Sequence, residues 1–184
     1  MKGIVFIALR NYIETNFGYD MWESILQKIS TSPDEVYVSI ENYSDQSLFE
    51  MVEIIKDTLQ LSKQKVLNLF GEDMFVSLSN KHPKYTVQCA TFLDFILSIE
   101  GTIHKEVKKL YDEPQLPTFK YEKHGDNKLL VEYHSKRKLC FLAEGLIKGA
   151  ADYYNEAYRL KHIKCMHKGD DNCVFDIEVI NGYQ

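Results

Sequence analysis

The chain has 184 residues, is 45% hydrophobic and carries a formal charge of −5 from 22 basic and 27 acidic residues. This length suits one compact domain with a sizeable core, and the acidic balance argues against a nucleic-acid binder, which carries a basic excess. No run of about 18 apolar residues occurs, so no membrane insertion is expected.

The start "MKGIVFIALR" has a short apolar run, Ile4 to Leu9, before Arg10, with no small-residue cleavage pattern after it. It reads as the first turns of a helix rather than an export signal, which makes the cytoplasm the expected compartment. The four cysteines are then thiols or metal ligands rather than a disulfide framework. Apolar residues in "IVFIALRNYIETNFG" recur at three- and four-residue spacing, and Gly18 is a stop signal. "YDMWESILQKI" is a second short helix, with Asp20 as a cap and Glu23 three residues on. Ser32, Pro33 and Asp34 supply turn chemistry. "SLFEMVEIIKDTLQL" and "SKQKVLNLFGEDMFVSLSN" are helices with cap candidates at Ser44 or Asp45 and at Ser62. Another helix is predicted over 85–98, with the pattern continuing to Tyr111. Pro114 and Pro117 then end helix formation. "TFKYEKH" and "KLLVEYHS" are strand-like around a turn at Gly125-Asp126-Asn127. "FLAEGLIKGAADYYNEAY" returns to helical spacing, and the last stretch is a hairpin turning at 169–172. A helical half followed by antiparallel strands flanking a helix is an α+β architecture.

Three groups of residues stand out. Alternation in a strand puts Tyr133, Ser135 and Arg137 on one face and His134, Lys136 and Lys138 on the other. Two hydroxyls and a guanidinium in a row form a receptor for carboxylate or phosphate oxygens; the alternative is a solvated edge-strand face. His104 lies beside an apolar helix face of Ile96, Ile99, Ile103, Val107 and Leu110, one turn after Gly101. A helical Gly costs up to about 1 kcal/mol, and clearance for a flat ligand approached by the imidazole is one reason for it. A neutral His is an axial ligand for haem iron, or else a half-buried group with a local hydrogen bond. The third group is Cys140, His162, Cys165, His167 and Cys173. Three thiolates and one imidazole satisfy tetrahedral zinc with no open position, His167 competes for the His place, and the alternative is a set of unconnected thiols. No HExxH, GxSxG or paired-carboxylate pattern points to an enzyme.

A Tyr133-x-Ser135-x-Arg137 motif about thirty residues after a helical His, with "IHKEVKKLY" upstream, resembles the bacterial haem nitric oxide/oxygen binding family, related to the haem domain of soluble guanylate cyclase. "CFLAEGL" and "HIKCMHKGDDNC" look like its zinc-bearing subgroup. The resemblance implies one sensor domain over 1–184, with a helical N-terminal subdomain to about residue 60, a haem-anchoring remainder and haem b between the two. It implies His104 as the iron ligand, Tyr133, Ser135 and Arg137 on the propionates, Pro117 pressing on the macrocycle, and zinc on Cys140, His162, Cys165 and Cys173. Oxygen-binding members have a distal tyrosine at the position matching Leu142, and residues 139–143 contain no hydroxyl. The expected distal wall is Val5, Leu9, Met74, Leu78 and Leu142. The expected function is nitric oxide sensing without oxygen binding, with output by contact to a histidine kinase or cyclic-di-GMP enzyme through release of His104.

Overall fold

The structure is a computed structural model that describes residues 1–29, 36–111 and 114–180. The turn predicted at Ser32, Pro33 and Asp34 lies outside the described residues. Helices α1 (Gly3–Phe17), α2 (Tyr19–Lys28), α3 (Asp45–Leu59) and α4 (Lys63–Lys81) come first. Gly18 ends α1 with φ 87°, a left-handed-side backbone that suits glycine, and it also opens α2. Asp20 therefore sits in the first turn of α2 rather than at its cap. Ser44 caps α3 through the Gln46 N–H, and Ser62 caps α4 through the Lys65 N–H.

The helix predicted over 85–98 and beyond is broken into α5 (Lys84–Val87), α6 (Phe92–Ser98) and α7 (His104–Leu110). Thr91 caps α6 through the Asp94 N–H. Between α6 and α7, residues Ile99–Ile103 form a π turn, in which the His104 N–H reaches back five residues to the Ile99 carbonyl. A single π turn inside a helical run marks a local irregularity of the kind found at functional sites. Leu110, assigned from the sequence to an apolar helix face, is exposed at the C-terminal end of α7.

Strands β1 (Thr118–Lys123), β2 (Lys128–His134), β3 (Tyr158–Lys164) and β4 (Cys173–Val179) form one antiparallel sheet in the order β1-β2-β4-β3. Helix α8 (Cys140–Tyr153) follows β2. Along β2, Leu129, Val131 and Tyr133 are buried while their neighbours are not, the period-2 pattern of a sheet with one covered face. That face packs with Phe175 and Ile177 of β4, Phe92, Phe95 and Ile96 of α6, and Cys140, Ala143 and Ile147 of α8. A second core joins α1–α4 and takes in Leu139 and Leu142. Helix α8 thus stands between the two cores and is buried on both sides. It meets α4 backbone to backbone: a Cβ at Gly71 would lie 2.4 Å from the Leu142 carbonyl oxygen, and one at Gly145 only 2.1 Å from that of Asn68.

Candidate haem and metal sites

His104 opens α7 and is 8% exposed. Its Nδ1 lies 3.0 Å from the Glu100 carboxylate, one turn back, and Glu100 also pairs with Lys108. Burial pushes the imidazole pKa down and outweighs the opposing pull of Glu100, so the ring is neutral. With Glu100 accepting from Nδ1–H, the lone pair is on Nε2. This is the tautomer and second-sphere carboxylate found on metal-binding histidines. Gly101, by contrast, is exposed, and a Cβ there would meet nothing within 4 Å, so no neighbouring protein group demands a glycine.

The ring of Phe119 lies 5.6 Å from that of His104 and 5.5 Å from that of Tyr133. The phenol of Tyr133 is buried, and desolvation holds it protonated, well above the usual tyrosine range. The trio of donors is assembled differently from the expected strand face. Strand β2 stops at His134, and only Tyr133 of the three belongs to it. Ser135–Lys138 is a tight turn: the Lys138 N–H donates to the Ser135 carbonyl, the Arg137 N–H donates to Ser135 Oγ at 3.2 Å, and Lys138 takes φ 51°. Ser135 accepts from its own turn, and its hydroxyl also hydrogen-bonds the Tyr133 phenol. Arg137 is steered by Asp45 of α3, 2.7 Å from Nε, and by the carbonyl and side chain of Gln115. Asp45 also pairs with the Met1 amino group at 2.7 Å. Burial opposes ionisation of Asp45, yet Arg137 and the amino group together hold its carboxyl below the usual range. Pro117 is partly buried immediately before β1.

Val5, Leu9, Met74 and Leu142 share one buried cluster, and Leu78 packs against its edge. None carries a hydrogen-bonding group. Tyr12 belongs to the same cluster, with its phenol pKa raised by burial and by the charges of Asp73 and Glu72.

Cys140, His162, Cys165 and Cys173 place their ligand atoms within 4.8 Å of one another. Residue spacing left His162 and His167 in competition, and the structure separates them. His162 Nε2 is buried without a partner inside the cluster, whereas His167 Nε2 hydrogen-bonds the Lys138 carbonyl and its ring stacks on Phe141. Burial and the neighbouring thiols push Cys140 upward in pKa, and burial does the same to Cys173. A divalent cation reverses both effects, so the donor set is one that a cation completes. Cys89 is remote, against the Tyr85 carbonyl.

With this geometry in place, the comparisons are specific. The sequence model of the family described as "Haem-NO-binding" matches residues 2–162. The chain belongs to the haem-NO-binding family. An H-NOX protein from S. oneidensis, solved in its Fe(II)NO state, is 36% identical, with a TM-score of 0.92 over 98% of this chain and 100% of that one. The IWP-051-bound H-NOX from Shewanella woodyi is 30% identical, with a TM-score of 0.86 over 100% and 97%. Soluble guanylate cyclase gcy-32 of Caenorhabditis elegans is 23% identical over 157 residues, 82% of this chain. The chain spans under a quarter of the length of that cyclase.

The family is one of haem-based gas-sensing domains, and this chain's residues fit a haem group. His104 offers a neutral, carboxylate-oriented nitrogen, and Tyr133, Ser135 and Arg137 carry donors suited to carboxylates. Sequence reasoning missed Glu100, Phe119, Asp45, Glu144 and Asn68. Glu144 was the one with a visible signal, as a lone carboxylate in the apolar run "CFLAEGL".

Proposed function

We propose that the protein senses nitric oxide through haem b, discriminates against oxygen, and controls a separate effector, a histidine kinase or cyclic-di-GMP enzyme, through release of His104. Haem, when bound, would supply a ferrous iron that binds the gas. His104 would hold the iron, Tyr133, Ser135 and Arg137 would receive the propionates, and Pro117 would lie against the macrocycle. Release of His104 would free α7 at the π turn, and the helical N-terminal subdomain would then shift relative to the remainder. This is a two-state element biased by a ligand.

The observation that carries the gas selectivity is that Leu142, which shares a buried cluster with Val5, Leu9, Met74 and Tyr12, offers no hydroxyl. A diatomic that gains negative charge on binding draws about 1–3 kcal/mol from a buried O–H donor, and position 142 has none. Nitric oxide, which develops less charge, needs no such bond. The test is an optical spectrum of the reduced protein with nitric oxide and in air. The expected result is a nitric oxide complex and no stable oxygen complex, with the haem band lost in His104→Ala and restored by imidazole. A protein that stays colourless with added hemin refutes the proposal.

The Cys3His set supports zinc as a second cofactor in a structural role, pinning the β3–β4 hairpin to the start of α8. The second reading, favoured by the three thiols in one cluster, is redox sensing, in which thiolate oxidation releases zinc. Peroxide treatment followed by zinc-release and effector assays separates the two, since zinc loss without change in output leaves only the structural role.

A further inference from the structure

The carboxylate of Glu144 is 9% exposed on α8 and serves two partners. One oxygen contacts His162 Nδ1, and the other accepts from Asn68 Nδ2 at 3.0 Å. Asn68 belongs to α4, the helix that carries Met74 and Leu78. Its Oδ1 is buried without a partner, so among the described residues Glu144 is what holds this amide in place. Beside the bridge the two helices touch where Gly71 faces Gly145, with no room for a methyl group. Contacts this close transmit displacement rather than absorb it. Helix α8 meanwhile begins at the metal ligand Cys140 and carries Leu142 two residues later.

We propose that Glu144 and Asn68 are positioning residues that couple the metal site to the gas-side wall, so that metal loading is read at the pocket lined by Met74 and Leu142. The inference rests on the zinc and haem readings above. A cation on His162 Nε2 fixes the Nδ1–H tautomer, and Nδ1–H fixes Glu144. Glu144 then holds Asn68 and, through it, the register of α4 against α8. Without the cation Glu144 still keeps the proton on Nδ1, but Nε2 has no partner; the ring is then held at one nitrogen only and is free to turn, and the bridge loses its anchor.

The test uses the haem-loaded full chain, with zinc bound or removed by chelation, and carbon monoxide as the probe. The C–O stretching band reports the distal wall, and metal analysis reports zinc content. The expected result is a band shift on zinc removal in the wild type and no such shift when zinc is removed from an Asn68→Ala protein that was zinc-loaded at the start. An equal shift in Asn68→Ala overturns the relay and leaves Cys140 as the route. The absence of a wild-type shift, with zinc shown to leave, overturns the coupling while the zinc reading stands. A chain that takes up no zinc, or no haem, refutes the corresponding reading and the inference with it. Glu144→Gln, which keeps side-chain volume, is the second variant should Asn68→Ala fold poorly. Its zinc affinity in chelator competition is expected to fall about 10- to 100-fold, and an unchanged affinity overturns the positioning role.

Discussion

Gly145→Ala is the sharpest test of the α4–α8 contact. The new Cβ would fall 2.1 Å from the Asn68 carbonyl oxygen and 2.9 Å from the Gly71 Cα. Both obstacles are backbone, so no side chain can rotate away, and the helices must part by about 1 Å to restore ordinary contact. Overpacking of this kind costs about 1–3 kcal/mol, and the backbone clash places this case in the upper half of that range. A domain of this size loses about 2–4 °C of Tm per kcal/mol, so 2 kcal/mol corresponds to a fall of about 4–8 °C. The assay is thermal or urea unfolding of the haem-loaded protein, with an unchanged m-value confirming that the native state is what changed. Gly101→Ala is the matched control, because its Cβ meets nothing and its backbone φ is not positive. It is expected to be neutral or to stabilise by about 0.4–1 kcal/mol. A Gly145→Ala protein as stable as the wild type, or more so, refutes the reasoning.

Asp45→Asn removes the ion pairs to Arg137 and the Met1 amino group, and is expected to cost about 1–2 kcal/mol at neutral pH, discounted for partial exposure. Because the folded-state pKa of Asp45 is depressed, its contribution is complete above the unfolded aspartate value of about 3.9 and vanishes as pH falls through the folded one. The gap between variant and wild type in urea melts therefore closes in acid, and a gap independent of pH contradicts the pairing. Glu100→Gln takes the negative charge from His104 Nδ1 and is expected to lower the iron–histidine stretching frequency and increase the fraction of nitric oxide complex freed from His104. An unchanged frequency by resonance Raman argues against the carboxylate contact. Leu142→Tyr is expected to create an oxygen complex that decays more slowly in air than any formed by the wild type, as followed by stopped-flow absorbance.

Local signals in the sequence were read well where the structure is made locally. The serine caps at Ser44 and Ser62 and the turn at Gly125-Asp126-Asn127 each depend on a few adjacent residues. The Cys3His group was readable because its members are chemically rare, and the choice of His162 over His167 needed coordinates. The strand-face reading of Tyr133, Ser135 and Arg137 assumed the wrong local geometry. Alternation assumes the strand continues, and the hydroxyl of Ser135 bonding to the Arg137 N–H instead ends it in a turn. The partners that orient the site were hidden for a different reason. Asp45 lies 92 residues from Arg137, and Asn68 lies 76 from Glu144. No periodicity encodes such pairs, because they exist only once the two cores have closed on α8. The π turn was also invisible, since one added residue leaves the apolar pattern almost unchanged.

That extra residue sets where the imidazole points. Each position along an α-helix turns about 100° and advances about 1.5 Å. Converting Ile99–Ile103 to ordinary winding would slide everything C-terminal to it by one step of that screw. His104 would swing by more than a quarter of a circle around the axis and lose its aim, while α6 stayed where it is. The backbone therefore holds a ratchet with a single tooth, in which a small change of winding at Ile99 becomes a large change of heading five residues later.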